Sequence, residues 1–200
     1  MYLYGASGHA KVIIEILELC DIKVAGLFDD NPDVKKLLNY NVKTFSNKEV
    51  LKNEGFIISV GDNAIRKNIS KRLNYKFGIA IHPNSTISKS VKIKSGTVIM
   101  GNSIINADSK IGRHAIINTS ASIDHDCIIE DFVHISPNST LCGNVTVGEG
   151  TQIGAGATII PGVKIGSWSL IGAGAVIIRD VPDHAVVVGN PGRIIKSDSK

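Results

Sequence analysis

The chain has 200 residues, is 43% hydrophobic and 20% charged, and carries a formal net charge of +4. This composition excludes an intrinsically disordered chain, and 20 glycines without a Gly-X-Y period exclude a collagen-like one. No Lys/Arg run exceeds two residues and no apolar run reaches spanning length, so neither nucleic-acid binding nor membrane insertion is expected.

In chain order, Tyr2-Leu3-Tyr4 predicts a short strand that runs into Gly5-Ala6-Ser7-Gly8-His9. Residues 10–19 predict a helix, with Val12, Ile13, Ile16, Leu17 and Leu19 on one stripe and Lys11, Glu15 and Glu18 outside it. A second strand over 24–28 ends in Asp29-Asp30-Asn31-Pro32. A weaker helix over 47–52 precedes a third strand over 55–60, which ends in Gly61-Asp62-Asn63. A helix over 64–73 and a fourth strand over 77–81 follow. Three cysteines, Cys20, Cys127 and Cys142, form no close pair, which fits free thiols in a reducing, cytoplasmic setting.

Alternating strands and helices imply a Rossmann-like parallel sheet over residues 1–80, with ligands at the carboxyl ends of its strands. Gly5 to His9, Asp29-Asp30 and Gly61 to Asn63 collect there. Glycines let a ligand approach the backbone, and the helix after them offers free N–H groups. An acid ending the second strand suits a ribose hydroxyl or a base N–H. Gly5-x-x-Gly8 is short of the dinucleotide fingerprint, and 80 residues hold only half of a dinucleotide fold. A mononucleotide or nucleotide-sugar site is therefore expected; the alternative is glycines that serve only a tight turn.

From Ile81 to Ile177 every sixth residue is a branched aliphatic, and two positions before each stands a small or β-branched residue such as Thr97, Cys127 or Ala157. A six-residue period is neither helical nor alternating; it predicts a parallel β-helix over residues 81–200, ended by Arg179-Asp180-Val181-Pro182 and capped by the last segment. Gly166 and Gly172-Ala173-Gly174 are expected to keep the outer wall low for a slender ligand.

The repeat resembles the hexapeptide repeat of the left-handed β-helix acyltransferases. That resemblance implies three hexapeptides, or 18 residues, per triangular coil, and between five and six coils here. Counting 18 from His125 reaches Gly143, which then lies directly above it at the same corner. His134 is nine residues on, half a coil round, so the two histidines converge only if a neighbouring subunit supplies one of them. Asn118 to Cys127 is the most polar part of the coil. A neutral imidazole at His125 can take a proton near pH 7, with Asp124 or Asp126 to orient it. The Gly143 N–H suits a thioester oxyanion. The alternative is a turn that merely tolerates polar residues. His82, His114 and His184 read as surface or structural, and Cys127 and Cys142 as packing.

Across its whole length the chain resembles one branch of that family, the bacterial acetyltransferases that modify UDP-4-amino-sugars, to which sialic-acid O-acetyltransferases also belong. The motifs are Tyr4-Gly5-Ala6-Ser7-Gly8-His9, Ile117-Asn118-Thr119-Ser120, Asp124-His125-Asp126-Cys127, His134, Cys142-Gly143-Asn144-Val145, Asp180-Val181-Pro182 and Gly189-Asn190-Pro191. The resemblance implies His125 as general base and Asp126 as its acid, where relatives often carry Glu. It implies that His134 and Gly143 meet the acetyl-CoA thioester, and that Ala155, Ala173, Gly189, Pro191 and Arg193 line the rest of the cofactor. Gly8, His9, Asp29 and Asn118 then lie near the nucleotide-sugar.

It also implies a homotrimer with sites between subunits and no metal. The expected activity is N-acetylation of the 4-amino group of a UDP-4-amino-4,6-dideoxy sugar, with O-acetylation of sialic acid or a related sugar as runner-up. A zinc hydratase built on the same coil lacks a third histidine ligand in the polar zone. A non-catalytic trimeric scaffold is the remaining rival.

Overall fold

The computed structural model describes residues 1–46, 55–73 and 75–197, so the helix expected over 47–52 lies outside the described residues. Strand β1 (Tyr2–Tyr4) leads to α1 (Gly8–Leu19), then β2 (Gly26–Asp29), β3 (Lys36–Leu37), β4 (Tyr40–Thr44), β5 (Phe56–Ile58) and α2 (Asn63–Arg72). The sheet order is β3-β4-β2-β1-β5, parallel except for β3, which turns back on β4. The β3–β4 hairpin escapes sequence reasoning because it buries little: only Leu37 and Val42 are inside. The α1 stripe also differs from expectation. Ala10, Ile13, Ile14, Ile16 and Leu17 are buried, whereas Leu19 is 53% exposed at the frayed end.

The fourth strand predicted over 77–81 is a correction. Phe77 makes a single bridge to Phe56, and Ala80–Ile81 pairs instead with Val98–Ile99 of the coil. The chain changes sheets at Gly78, whose N–H bonds the Phe56 carbonyl and whose carbonyl accepts from Gly96.

From Ala80 onward, two-residue strands recur every six residues and stack into three parallel faces. The first face holds the strands at Thr86, Ile104, Ser122, Thr140, Thr158 and Val176; the second holds those at Lys92, Lys110, Ile128, Thr146 and Lys164. The third runs from Ala80 through Val98, Ile116, His134, Gln152 and Leu170 to the antiparallel cap strands Val186–Val188 and Arg193–Lys196. Each rung pairs with the residue 18 positions on, as Ile105 with Ile123 and Ile123 with Leu141. The inward aliphatics form one continuous core, fully buried from Ile99 to Ile171.

Polar residues inside the coil are satisfied by the same period. Thr97, Ser109 and Thr151 each donate to a carbonyl 15 residues on and accept the N–H 18 residues on, so none is an orphan. Every corner from residue 96 to residue 174 takes one left-handed residue. Asn102, Asp108, Ser120, Asp126, Asn138 and Asn144 occupy it cheaply. At the corner between the second and third faces, however, the column reads Gly96, His114, Phe132, Gly150 and Trp168. A Cβ on Gly96 would lie 2.2 Å from the His114 ring, and one on Gly150 would lie 2.5 Å from Trp168. The two glycines thus make room for rings that hold a strained backbone, and His114 repays it by stacking on Phe132, 5.1 Å between centroids.

That ring column is where the two halves of the chain are joined. Helix α1 lies between the sheet and the third face, in one core with Val98, Met100 and Ile116. Beside it, α2 sends Arg66 inward to 1% exposure. Its five N–H donors are all used: on His114 O (2.8 Å), Phe132 O (2.8 Å), Val60 O (3.0 Å), Gly61 O (3.0 Å) and Asn63 Oδ1 (2.7 Å). Burial pulls the Arg66 pKa down to about 9, so the group stays charged at pH 7. Among the described residues no carboxylate reaches it within ion-pair distance; five acceptors carry its charge.

Removing the guanidinium strands several buried acceptors. Arg66→Met is expected to lower unfolding stability by at least about 3 kcal/mol, read from the urea midpoint, because each orphaned group costs about 1–3 kcal/mol. A change below about 1 kcal/mol would show that water replaces it. A second expectation concerns pH. His9, His114 and His134 are each held down to about 4, first by burial and then by Arg66, against an ordinary value of 6.5. A histidine with a lowered folded pKa takes up its proton on unfolding, so stability is full above pH 6.5 and falls as pH drops toward 4. Thermal midpoints measured across that window should decline, and His114→Phe, which keeps the stack, should flatten the decline.

Candidate active site

His125 and Asp126 form the first-to-second corner, just after the strand Ser122–Ile123. Asp126 takes the left-handed corner conformation at φ 59°, which an aspartate tolerates. The shorter acid still reaches its partner: His125 Nδ1 lies 2.8 Å from Asp126 Oδ2. A carboxylate only accepts, so Nδ1 carries the proton and the lone pair sits on Nε2. The Asp126 hydrogen bond, and then the charge of Asp124, hold the imidazole pKa above its usual value.

Gly143 lies one coil above, as the 18-residue count predicted. A Cβ there would meet His125 Cε1 and Nε2 at 2.7 Å, so the ring requires glycine at this position. Among the described residues the Gly143 N–H bonds no acceptor, while its carbonyl takes the Gly162 N–H and His125 O takes the Asn144 N–H. An unclaimed amide donor beside a base nitrogen is the arrangement an oxyanion needs.

His134 belongs to a different group on the same chain. It starts a third-face strand beneath the N-terminal half. Asn118 Nδ2 donates to its Nε2 at 3.0 Å, while Asn118 Oδ1 accepts the Thr119 N–H at 2.8 Å, which fixes the amide. A hydrogen bond to the Gly61 backbone engages the ring as well, and the His9 ring lies 6.5 Å away. His9 Nε2 is buried with no partner. Thus His134, expected beside the thioester, lies with the residues expected to meet the sugar nucleotide: His9, Asn118 and the end of β5.

Asp29 ties the glycine turn to β2. Its Oδ2 accepts the Ala6 N–H at 2.7 Å and its Oδ1 the Asn31 N–H at 2.9 Å. Gly8 opens α1 with free space around its Cα. Next to it, Tyr4 hydroxyl joins Asp30 and Arg72, a cluster that sequence spacing did not reveal.

Ala155 and Ala173 stack exposed at the third-to-first corner, 18 residues apart, with Gly189 and Pro191 beyond them. Arg193 lines a cavity of about 370 Å³ with Ile177, Arg179 and Gly192. Two glycines depart from expectation. Gly166 packs against the Pro182–Asp183 backbone and Gly172 against Val188, so close packing rather than a low wall requires them; only Gly174 faces open space. Cys127 is fully buried and burial raises its thiol pKa, which leaves it unsuited to carry an acetyl group. A cleft of about 800 Å³ between α2 and the second face, lined by Lys71, Lys92, Lys110 and Phe77, contains none of the expected residues. No helix is long and apolar enough to cross a membrane, and no three metal-ligating side chains are grouped, among the described residues.

Residues 1–73 match the family described as the PglD N-terminal domain, and residues 144–179 match the bacterial transferase hexapeptide family, described as six repeats. Solved structures match the whole chain. PerB from Caulobacter crescentus, in complex with CoA and GDP-perosamine, is 37% identical with a TM-score of 0.92, over 98% of this chain and 96% of that one. The acetyltransferase domain of PglB from Neisseria gonorrhoeae, in complex with acetyl coenzyme A, is 34% identical with a TM-score of 0.90, over 97% and 98%. WeeI from Acinetobacter baumannii is 25% identical with a TM-score of 0.91, over 97% and 98%. An uncharacterized protein of Acanthamoeba polyphaga mimivirus is 36% identical over 72 residues, which are 36% of this chain and 15% of the viral protein. A six-residue coil with this N-terminal half, matched end to end at more than one third identity, has one interpretation: the chain belongs to the left-handed β-helix family of bacterial sugar acyltransferases.

Proposed function

We propose that this protein transfers an acetyl group from acetyl-CoA to the 4-amino group of a nucleotide-linked sugar, with His125 as general base. The observation that carries the proposal is the His125 corner. Nδ1 is held by Asp126 at 2.8 Å, Nε2 is free, and Gly143 lies against the ring with its N–H unclaimed. The acetyltransferase relatives with CoA or acetyl-CoA bound support the cosubstrate. PerB with GDP-perosamine supports a nucleotide-sugar acceptor. The finer substrate, a UDP-4-amino-4,6-dideoxy sugar, rests on the resemblance of the motifs, and GDP-perosamine is its direct competitor as acceptor.

The chemistry balances without a covalent enzyme intermediate. The ammonium of the sugar loses one proton to solvent, and its lone pair attacks the thioester carbonyl carbon. The carbonyl oxygen becomes an oxyanion that the Gly143 N–H can hold. His125 Nε2 takes a second proton from the nitrogen, then returns it to sulfur as the C–S bond breaks. The products are the amide and CoA thiol.

Charge favours nitrogen over oxygen acceptors of the sialic-acid kind. His125 is flanked by Asp126 at 2.8 Å and Asp124 at 3.9 Å. Two carboxylates attract an ammonium and repel a sugar that itself carries a carboxylate.

We further propose that the site is completed between subunits of a homotrimer. The His125 side chain is 59% exposed in one chain, far too wet for a protected thioester reaction. The outward row of the first face, Thr86, Ile104, Ser122, Thr140, Thr158 and Val176, carries no charge, whereas Lys92, Lys110 and Lys164 stud the second. An uncharged face bounded by the His125 corner on one side and the His134 and Asn118 edge on the other suits contact with copies of itself. One copy then brings His125 to the sugar held by its neighbour. Gly8, His9, Asp29 and Asn118 hold that sugar nucleotide, and Ala155, Ala173, Gly189, Pro191 and Arg193 flank the cofactor.

His125→Ala is expected to lower kcat about 10²-fold or more, while acetyl-CoA affinity by calorimetry changes little; undiminished turnover would remove His125 from the mechanism. Specific activity should hold on dilution until the trimer dissociates, followed by mass photometry, and then collapse. Full activity of a verified monomer would overturn the shared site.

A further inference from the structure

Asp124 is the unexplained carboxylate at this corner. Its Oδ1 is engaged twice, by Asn106 Nδ2 at 2.9 Å and by the His125 N–H at 2.8 Å. Asn106 stands one coil below, 18 residues back, so the ladder itself aims this carboxylate. Its Oδ2 has no donor among the described residues and lies 3.9 Å from His125 Nε2. The two facing atoms are both acceptors, because Nδ1 holds the ring proton against Asp126.

Two acceptors 3.9 Å apart are too far apart for a mutual bond and close enough to share one donor atom. A nitrogen about 2.9 Å from each satisfies both. That donor must offer at least two protons. An amine or ammonium has two or three, whereas a sugar hydroxyl has one and would leave an acceptor unpaired. The side chain of Asp124 is 42% exposed and faces the same open corner as His125, so an acceptor group can enter.

We propose that Asp124 Oδ2 is the amine-selecting residue of the acceptor site, gripping the sugar ammonium together with His125 Nε2. This rests on the acetyltransferase reading above and names how that site tells nitrogen from oxygen. Asp124 stays ionised as the proton leaves the ammonium. It forms no bond to carbon, and once the ammonium has lost its first proton to solvent it fixes the nitrogen lone pair toward the thioester, leaving His125 Nε2 to take the second proton after attack. Asn106 acts through Asp124 and is a positioning residue.

The test compares wild type, Asp124→Asn and Asn106→Ala. Acetylation is followed with whichever of UDP-4-amino-4,6-dideoxy sugar and GDP-perosamine the wild type acetylates. The same nucleotide sugar with a 4-hydroxyl serves as competitive inhibitor. Asp124→Asn keeps the side-chain shape and the backbone contact, and unchanged acetyl-CoA affinity verifies its fold. The expected result is a KM for the amine raised tenfold or more in Asp124→Asn, with an unchanged inhibition constant for the hydroxyl analogue. Asn106→Ala should shift the same ratio by a smaller factor. An unchanged amine-to-hydroxyl preference in Asp124→Asn would overturn the inference while leaving the enzyme reading intact. Wild-type protein that acetylates neither amino sugar would overturn both.

Discussion

Arg66 is the contact on which the arrangement of this molecule depends. It is a buried cation without a buried anion, held by carbonyls from α2, the end of β5 and two successive coils. Such a group tolerates little displacement, because each of its donors would lose a buried partner. The N-terminal half is therefore fixed in rotation as well as position against the coil. That rigidity brings His9 and Gly61 to His134, and without it the carboxyl ends of the sheet strands would have no defined relation to the third face. Lys67 reinforces the joint by lying over the Trp168 ring and pairing with Glu149.

The same cation divides the histidines into two electrostatic kinds. Those beside Arg66 are half-buried or buried and held neutral, so they act as fixed hydrogen-bonding surfaces. His125 sits far round the coil, exposed and next to two carboxylates, and its pKa moves the other way. Neighbouring carboxylates support an imidazolium and a neighbouring guanidinium opposes it, so the two groups of histidines differ by their surroundings. His125 and His134 are thus separated on one chain by half a coil.

Much of this was legible in the sequence because the repeat has no insertions. The core column and the position of Gly143 against His125 follow from a period and one resemblance. What escaped has a common cause: it depends on contacts between the two halves, which no period describes. Arg66 carries no signal within the helix expected over 64–73, and His114 reads as surface or structural without a choice between them; both are buried. The strand expected over 77–81 is divided, with Phe77 bridging to Phe56 in the sheet and Ala80–Ile81 pairing in the coil. Gly166 and Gly172 were misjudged because a missing side chain looks the same in sequence whether it faces solvent or a neighbouring backbone. The replacement of Glu by Asp at position 126 left the reach to His125 in question, and the left-handed corner answers it by bringing the adjacent carboxylate round to Nδ1.

A coil in exact register changes what a functional position is. Its inward residues are committed to the core, so chemistry is left to the corners and to outward residues of the strands such as His134. At a corner, contacts recur between residues 18 apart: Asn106 with Asp124, Arg113 with Asp131, His114 with Phe132, His125 with Gly143. Each corner residue is thereby supported from below and limited from above by its own column. The first-to-second corner uses that geometry in both directions, with Asn106 aiming Asp124 from below and Gly143 yielding space from above. A single inserted residue would slide each of these pairs that spans it out of contact while leaving the composition of the coil almost unchanged. The uninterrupted period across this stretch is therefore a requirement of the site as much as of the core.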